Sequence, residues 1–417
     1  MRSRGRLSRR CFLSGAGGAA ASLAAPVHAQ PGSDEFRVLR AQTAGAGAQP
    51  PSAPPTLRYN GALPGPTLRG KRGEELRVRL VSELAEPTSV HWHGVRLPNA
   101  MDGVPQLTQP ATAPGASFDY RFKLPDAGTF WYHAPVGAQV AQGLYGALIV
   151  EEQQPVGVDR DILLVLGTAA DGADARAPVL VNGSLRPDIA VKSGERLRLR
   201  LINATATRSL ALKVEGHAAW VMAIDGQPAE PFLARDSRVG LGPGNRVDLF
   251  VDATHEGGTL APLLAGVADE QPIARLAYER GGDARNARRS DPVALPPNAL
   301  PARIDLKGSI KIEMALAGAK PLDLASPPLF SVRRGRAVTL ALRGTAGRAW
   351  AVHVHGHHFR LLDRLDDGWK PYWMDTLVVG EQIERIAFVA DNPGKWLIGC
   401  RALEQPSIDA GAWFAVT

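Results

Sequence analysis

The chain has 417 residues and a mass of 44.4 kDa, which corresponds to roughly two to four domains of ordinary size. Its 33 prolines and 44 glycines argue against a helix bundle and favour many short strands and turns. The formal net charge is +7, but five arginines within the first ten residues supply most of it, so we expect no nucleic acid partner.

The N-terminal segment 1–29 has the features of an export signal. A basic stretch ends in Arg9 and Arg10, a Gly- and Ala-rich apolar run follows, and Ala29 completes a small-x-small cleavage site. The paired arginines match the twin-arginine address, so we expect the twin-arginine export machinery as a partner and the periplasm as the destination. An ordinary secretory signal with chance arginines is the alternative. No later apolar run reaches the roughly 20 residues of a membrane span, so we expect no stable membrane insertion.

Removal of this segment would take Cys11 with it and leave Cys400 as the cysteine of the mature chain. One thiol cannot form an internal disulfide, although the periplasm permits such bonds. Cys400 is therefore an inert buried residue, a reactive thiol or a metal ligand.

Three segments share a pattern of a proline, a glycine seven residues later and an alternating run typical of a half-buried strand. The three copies are Pro66 to Gly73 with Leu76–Leu80, Pro187 to Gly194 with Leu197–Leu201, and Pro328 to Gly335 with Val338–Leu342. The copies lie 121 and 141 residues apart, a length that suits a whole β-sandwich domain. We therefore predict domain 1 at 36–152, domain 2 at 158–268 and domain 3 at 301–417, with a linker at 269–300.

The histidines follow the same repeat. His91 and His353 each lie 18 residues after the repeat glycine of domains 1 and 3, and each begins a His-x-His pattern. Alternate residues of a strand point to one face, so His93 and His355 are directed the same way as their partners. A second match between domains 1 and 3 adds His133. These matching edges predict a shared metal site, and imidazole ligands suit copper, zinc, iron and nickel.

Short motifs recur from about residue 37 to residue 417. They include His91-Trp92-His93-Gly94, Met101-Asp102-Gly103-Val104-Pro105, Trp131-Tyr132-His133, Ile224-Asp225-Gly226, His353-Val354-His355-Gly356-His357, Asp375-Thr376 and Asp391-Asn392-Pro393-Gly394. Together they resemble the motifs of the three-domain multicopper oxidases, which are the laccase-like and copper-efflux oxidases. The resemblance implies an all-β fold of three cupredoxin-like Greek-key β-sandwich domains.

The resemblance also implies a set of copper ligands, of which this chain keeps a part. In the family, a type 1 copper takes electrons from substrate and passes them to a cluster of one type 2 and two type 3 coppers, where dioxygen becomes water. The retained positions are His91 and His353 for type 2, His93, His133 and His355 for type 3, and Cys400 for type 1. The replaced positions are Pro135, Gly399 and Arg401 for type 3, and Trp350 and Gln405 for type 1.

These replacements predict the loss of oxidase chemistry. A blue copper site needs a thiolate and two imidazoles, so Cys400 alone cannot hold that ion and is best explained as a small buried hydrophobe. Arg401 adds a fixed positive charge where a cation lies in the family. We therefore expect about one type 2-like copper ion and no laccase activity, with zinc or no metal as alternatives.

Asp102 matches the acidic residue that relays protons near the copper cluster of active relatives. An aspartate before Gly103 is also typical of a turn, and the carboxylate could neutralise Arg401 instead. The sequence leaves these roles open.

Three classes of function remain open. The first is a copper-binding protein with one type 2-like centre, which the surviving histidines favour. The second is a copper-free interaction or scaffold protein with an unknown periplasmic partner. The copperless, twin-arginine-exported bacterial division protein that resembles these oxidases is a precedent for it. The third is an oxidase with an unusual ligand set, which is disfavoured because electron entry and relay are both interrupted.

Overall fold

Short strands form nearly all of the regular structure in the computed structural model of the chain. The described residues are 35–45, 56–168, 177–266, 269–281, 289–317, 320–362, 372–403 and 409–417. Within these residues the strands form three successive β-sandwiches, each built from two sheets. This arrangement confirms the predicted all-β fold of three cupredoxin-like Greek-key domains.

Domain 1 places its first repeat strand in the interior of a sheet. The elements of domain 1 are β1 (Arg37–Thr43), β2 (Leu57–Tyr59), β3 (Gly65–Lys71), β4 (Glu75–Ser82), β5 (His91–His93), a 3₁₀ turn (Asn99–Met101), β6 (Ser117–Lys123), β7 (Gly128–His133), the short helix α1 (Gly137–Ala141) and β8 (Tyr145–Glu151). One sheet has the order β2-β1-β4-β6 and the other has the order β3-β8-β7-β5. The alternating run Leu76–Leu80 lies in β4, whose residues alternate between buried and less buried as predicted. Strand β5 is an edge strand, so one of its sides is open to a neighbouring domain.

Domain 2 contributes the largest sheet. Its elements are β9 (Arg160–Thr168), β10 (Val179–Val181), β11 (Asp188–Val191), β12 (Arg196–Asn203), β13 (Leu210–Val214), β14 (Ala219–Ile224), β15 (Gln227–Leu233), a 3₁₀ turn (Arg235–Ser237), β16 (Arg238–Leu241), β17 (Arg246–Asp252), β18 (Leu260–Ala265) and β19 (Gln271–Tyr278). The sheets have the orders β10-β9-β12-β17-β14-β15 and β11-β19-β18-β13-β16. Strand β19 pairs with β18 and β11, so domain 2 extends at least to Tyr278. The predicted linker at 269–300 is therefore wrong for the residues of β19.

Strand β12, which contains the second repeat run, is buried along its whole length, whereas the sequence predicted a half-buried strand. Arg198 forms ion pairs with Asp248 of domain 2 and with Glu152 at the end of domain 1, and Arg200 donates to Thr129 of domain 1. Domain 1 therefore covers the charged face of β12. A buried guanidinium is tolerated there because carboxylates and a hydroxyl satisfy its donors.

Domain 3 repeats the arrangement of domain 1. Its strands are β20 (Ile310–Ala315), β21 (Ser331–Val332), β22 (Arg336–Arg343), β23 (Trp350–Val354), β24 (Arg360–Leu361), β25 (Thr376–Val379), β26 (Ile383–Ala390), β27 (Gly394–Ala402) and β28 (Asp409–Val416). The sheets have the orders β20-β22-β26-β24 and β21-β28-β27-β23-β25. The predicted strand Val338–Leu342 lies in β22.

Buried apolar side chains join the domains. Those of domains 1 and 3, including Trp92 and Trp396, belong to one continuous cluster, whereas domain 2 has a core of its own. A smaller cluster that contains Trp131 and Val165 connects domains 1 and 2. This packing brings the edge strand β5 of domain 1 towards β23 of domain 3.

Candidate metal centre

The two His-x-His patterns face each other across the boundary between domains 1 and 3. In β5, His91 pairs with His133 of β7, while Trp92 packs on the opposite face against aromatic side chains of the domain core. In β23, His353 pairs with Gly399 of β27. The alternation of strand residues directs the imidazoles out of both domain cores and towards one another.

The five histidines that the sequence singled out meet in one buried group, which we call the histidine cluster: His91, His93, His133, His353 and His355. His91 Nε2 lies 3.2 Å from His353 Nε2, and His93 Nδ1 lies 3.2 Å from His133 Nε2. The rings of His93 and His353 stack with centroids 3.7 Å apart, and those of His91 and His355 lie 4.0 Å apart. Ligand atoms of His91, His93 and His353 lie within 4.8 Å of one another, which is close enough to share one metal ion.

The hydrogen bonds of His91 and His353 leave two acceptor nitrogens facing each other. His91 Nδ1 lies 2.9 Å from the backbone oxygen of Asp102, and His353 Nδ1 lies 2.9 Å from that of Asp375. A carbonyl oxygen can only accept, so each Nδ1 carries the ring proton and each Nε2 presents a lone pair. Two lone pairs 3.2 Å apart repel each other unless a cation lies between them. Metal–imidazole bonds of about 2.0–2.1 Å can both reach one ion across this separation, so these residues fit a metal ion.

The pKa values of the cluster favour the form that binds metal. Burial lowers the pKa of His93, His133 and His353 below the ordinary value, and it lowers the pKa of His355 to about 3. Neutral imidazole, rather than imidazolium, is the metal ligand. These four rings therefore offer a lone pair at neutral pH without first losing a proton.

Asp102 lies behind two rings of the histidine cluster. Its Oδ2 accepts a hydrogen bond of 2.9 Å from His355 Nδ1, and its Oδ1 lies 3.3 Å from His91 Nδ1. Burial raises the pKa of this carboxyl, but the interactions with His355 and His91 lower it by more, so the group is ionised. Carboxylates in this position fix the orientation of metal-binding imidazoles. Asp102 therefore has contacts with the histidine cluster as well as a place in the turn before Gly103.

A second polar group lies behind the histidine cluster, and the sequence motifs predicted no role for it. Thr376 Oγ1 lies 2.8 Å from both His93 Nε2 and Asp375 Oδ1. Arg246 of domain 2 donates to both carboxylate oxygens of Asp375, at 2.8 and 2.5 Å. The Asp-Thr dipeptide is visible among the motifs, but Arg246 lies 129 residues before Asp375 and no spacing signal connects them.

The structure describes two of the residues that the family resemblance assigned to the type 1 copper position, Cys400 and Trp350. Cys400 is buried in the core of domain 3, and burial raises the pKa of its thiol to about 12. Trp350 is buried too, and its indole N–H has no hydrogen-bond partner among the described residues. A type 1 copper requires two imidazoles beside the thiolate, and the indole N–H of Trp350 can only donate, so these two residues alone do not supply that ligand set. Gln405 lies outside the described residues.

The three replaced type 3 positions offer no neutral nitrogen donor. A side chain at Gly399 would begin 3.7 Å from His355 Nε2, so the glycine supplies no ligand atom beside that ring. Besides burial, the positive charge of Arg401 contributes to the lowered pKa of His133. Pro135 follows His133 by two residues and has no donor atom in its side chain. These three side chains therefore add no imidazole to the histidine cluster.

The fold and the histidine cluster define a three-domain cupredoxin-like protein whose candidate ligands lie between its first and third domains. Multicopper oxidase family models match residues 46–155, 123–259 and 296–417. Multicopper oxidase MmcO of Mycobacterium tuberculosis is 30% identical, over 83% of this chain and 80% of its own length. The chain belongs to the multicopper oxidase family, which implies copper as its cofactor.

Solved structures and further relatives agree with this assignment. The crystal structure of a multi-copper oxidase from Pseudomonas thermotolerans has a TM-score of 0.81 and 31% identity, and it covers 92% of this chain and 99% of that chain. Lac15 from a marine microbial metagenome has a TM-score of 0.79 and 32% identity, covering 92% of this chain and 100% of that chain. Copper resistance protein A of Escherichia coli is 28% identical, over 57% of this chain and 48% of its own length.

Proposed function

We propose that this chain is a periplasmic member of the multicopper oxidase family that binds a single type 2-like copper ion and lacks laccase activity. The observation that carries the proposal is the pair of Nε2 atoms of His91 and His353, 3.2 Å apart with both ring protons held on Nδ1. A cation between domains 1 and 3 would remove the repulsion between these lone pairs. His93, His133 or His355 would complete the ligand set.

Copper is the preferred ion on general grounds. Among divalent ions, affinity for an imidazole site rises to a maximum at copper, and zinc follows it closely enough to compete where copper is scarce. Membership of a copper-dependent family supports the same choice. The name of the Escherichia coli relative, copper resistance protein A, is consistent with a role in handling this metal.

The absence of oxidase activity is proposed from the donor atoms. Cys400 has Trp350 where an imidazole ligand would be required, so it lacks the partners of a copper ion through which substrate electrons would enter. Gly399 and Arg401 replace the residues that relay electrons in the family. Asp102 contacts both His91 and His355, and this position supports a role in proton relay should the bound ion have limited redox activity.

The binding proposal is tested by the thermal stability of the metal-free protein after copper is added. An ion that cross-links domains 1 and 3 raises the melting temperature by binding linkage, by an amount that grows with copper concentration. The shift should disappear in a chain that carries both His91→Ala and His353→Ala. It should persist in a matched control with both His217→Ala and His255→Ala, whose rings form a separate contact in domain 2.

Failure of the wild-type chain to respond to copper would favour the copper-free alternative. In that case the protein would act as a periplasmic interaction or scaffold protein, and its binding partner would be a protein. The positive charge of Arg401, which contributes to the lowered pKa of His133, favours this alternative, because a fixed guanidinium charge opposes a cation bound at that ring.

Export by the twin-arginine pathway is also a proposal, since residues 1–29 lie outside the described residues. In the described part of the chain, no helix is long and apolar enough to cross a membrane. Replacing both Arg9 and Arg10 by lysine should retain the precursor in the cytoplasm. Normal periplasmic accumulation of that variant would contradict a twin-arginine signal and indicate the general secretory route.

A further inference from the structure

A buried polar node lies behind the histidine cluster and involves all three domains. Its centre is Asp375, which immediately precedes β25 and has no exposed side-chain surface. Arg246 of domain 2 donates to both of its carboxylate oxygens, and Thr376 Oγ1 donates to Oδ1 at 2.8 Å. The opposite side of the Thr376 hydroxyl faces His93 of domain 1 and His353 of domain 3.

The proton positions in this node follow from donor and acceptor counts. A threonine hydroxyl has one proton to donate and two lone pairs with which to accept. The carboxylate of Asp375 is the stronger acceptor, since hydrogen bonds to an ionised group are roughly twice as strong as neutral ones. The single proton of Thr376 therefore points to Asp375, and the hydroxyl oxygen must accept from His93 Nε2, 2.8 Å away. Asp375 Oδ1 itself lies 3.3 Å from His93 Nε2, so the carboxylate also favours a proton on that nitrogen directly.

This assignment decides which nitrogen of His93 faces the cluster as a lone pair. With the ring proton on Nε2, His93 Nδ1 is an acceptor that faces His133 Nε2 at 3.2 Å. His133 Nδ1 lies 2.7 Å from the backbone oxygen of Ala134, so His133 Nε2 is an acceptor as well. Without the carboxylate, the Thr376 proton could turn to His93 Nε2. The ring proton would then move to Nδ1 and close the gap to His133 by an ordinary hydrogen bond.

We infer that Asp375 is a positioning residue that acts both through the Thr376 hydroxyl and by its own carboxylate to keep the proton of His93 on Nε2 and its Nδ1 lone pair in the cluster. Domain 2, which contributes no histidine to the cluster, holds this residue in place. Arg246 supplies the ion pair, and Asp225 accepts the backbone N–H groups of Asp375 and Thr376 at 3.1 and 3.3 Å.

Local geometry supports this function for domain 2. Gly94, directly after His93, has φ +83°, and any side chain there would collide with the Arg246 guanidinium and with Asp375 Oδ2. The glycine therefore permits close contact between the end of β5 and the Arg246–Asp375 pair. The turn after His93 therefore leaves room for the Arg246 guanidinium of domain 2.

The first readout is the tautomer of His93 in the metal-free protein, measured by nitrogen-15 NMR on histidine-labelled chain. The His93 signals are assigned by their loss in a His93→Gln chain. We expect Nε2 to be protonated in the wild type and in Thr376→Ser, which keeps the hydroxyl. We expect Nδ1 to be protonated in Asp375→Asn, and the preference for Nε2 to be weakened in Thr376→Val, where the Asp375 carboxylate still faces that nitrogen. A folded Asp375→Asn chain with the wild-type tautomer would overturn the inference.

The second readout is copper affinity, measured by competition with a chelator. Of the two measurements, only this one rests on the proposed function. Replacing a group that orients a metal-binding histidine lowers affinity by about 10–100-fold, so Asp375→Asn and Thr376→Val should fall in that range and Thr376→Ser close to wild type. The matched control is Asp248→Asn, a buried carboxylate bonded to Thr129 and Arg198. It should lower stability without lowering affinity. An equal loss of affinity in Asp248→Asn and Asp375→Asn would contradict a positioning role, whereas a wild type without copper affinity would contradict only the proposed function.

Discussion

Removal of the Arg246 guanidinium should be among the most damaging single changes in the chain. Arg246→Met would leave the carboxylates of Asp375 and Asp225 buried together without their cation, because all three side chains have no exposed surface. Loss of one partner of a buried ion pair costs about 3–5 kcal/mol. Bonds to the backbone oxygens of Gly244 and Asp225, at 2.9 and 3.0 Å, are lost as well. The change would therefore remove a large part of a typical stability of about 5–15 kcal/mol.

The cost should be partly reversible by removing one negative charge. Asp375→Asn combined with Arg246→Met leaves Asp225, which still accepts hydrogen bonds from the Asn245 amide and from backbone N–H groups. Residues in one network show coupling energies of about 0.5–3 kcal/mol, so the double variant should be more stable than the sum of the single costs predicts.

The assay for this prediction is urea unfolding of the metal-free protein at pH 7, with Arg79→Met as the matched control. Arg79 forms a comparable bidentate pair with Asp119, at 2.6 and 2.7 Å, but both side chains are more than 40% exposed. Exposed pairs contribute little to stability, so the control should change little. A cost for Arg246→Met as small as that of Arg79→Met, or strictly additive single costs, would refute the reasoning.

Three further predictions concern colour, pH and backbone fit. Copper-saturated protein should show no intense blue band, and Cys400→Ser should leave its absorption spectrum unchanged, because Trp350 stands where the thiolate would need an imidazole partner for a type 1 copper. In the metal-free protein, His355 has a pKa of about 3, below the ordinary 6.5 of the unfolded chain. Between pH 7 and pH 5 the unfolded chain therefore takes up a proton at His355 that the folded chain does not bind. This residue alone should lower the free energy of unfolding by about 2 kcal/mol over that range. Gly399→Ala should stabilise β27 by about 0.5–1 kcal/mol, since its new side chain meets nothing closer than 3.6 Å. Gly128→Ala, at φ +150°, would collide with the Gly226 carbonyl and should destabilise the protein in the same unfolding assay.

The sequence predicted the parts of the structure that follow from local patterns. The alternating runs after Gly73 and Gly335 become β4 and β22, since an alternating pattern has one apolar face to bury. The equal offsets of His91 and His353 placed both on matching strands of related domains, and the structure brings their rings together. A repeat therefore carries information about contacts between residues that are distant in the chain.

Features that depend on contacts between domains could not be predicted from local patterns or repeats in the sequence. The alternation in β12 predicted one exposed face, but Glu152 and Thr129 of domain 1 cover Arg198 and Arg200, and nothing local to β12 encodes that cover. Arg246 and Asp375 meet for a similar reason: their approach depends on how domains 2 and 3 pack. The end of domain 2 was misplaced because the segment that contains β19 lacks a repeat motif of its own.

The most direct test of a single copper site is elemental analysis of protein folded in copper-replete medium and freed of loosely bound metal. We expect about one copper per chain, as the general ligand preferences of an imidazole pair indicate, and none in a chain with both His91→Ala and His353→Ala. Two or more coppers per chain, or a wild type without copper, would contradict the proposal.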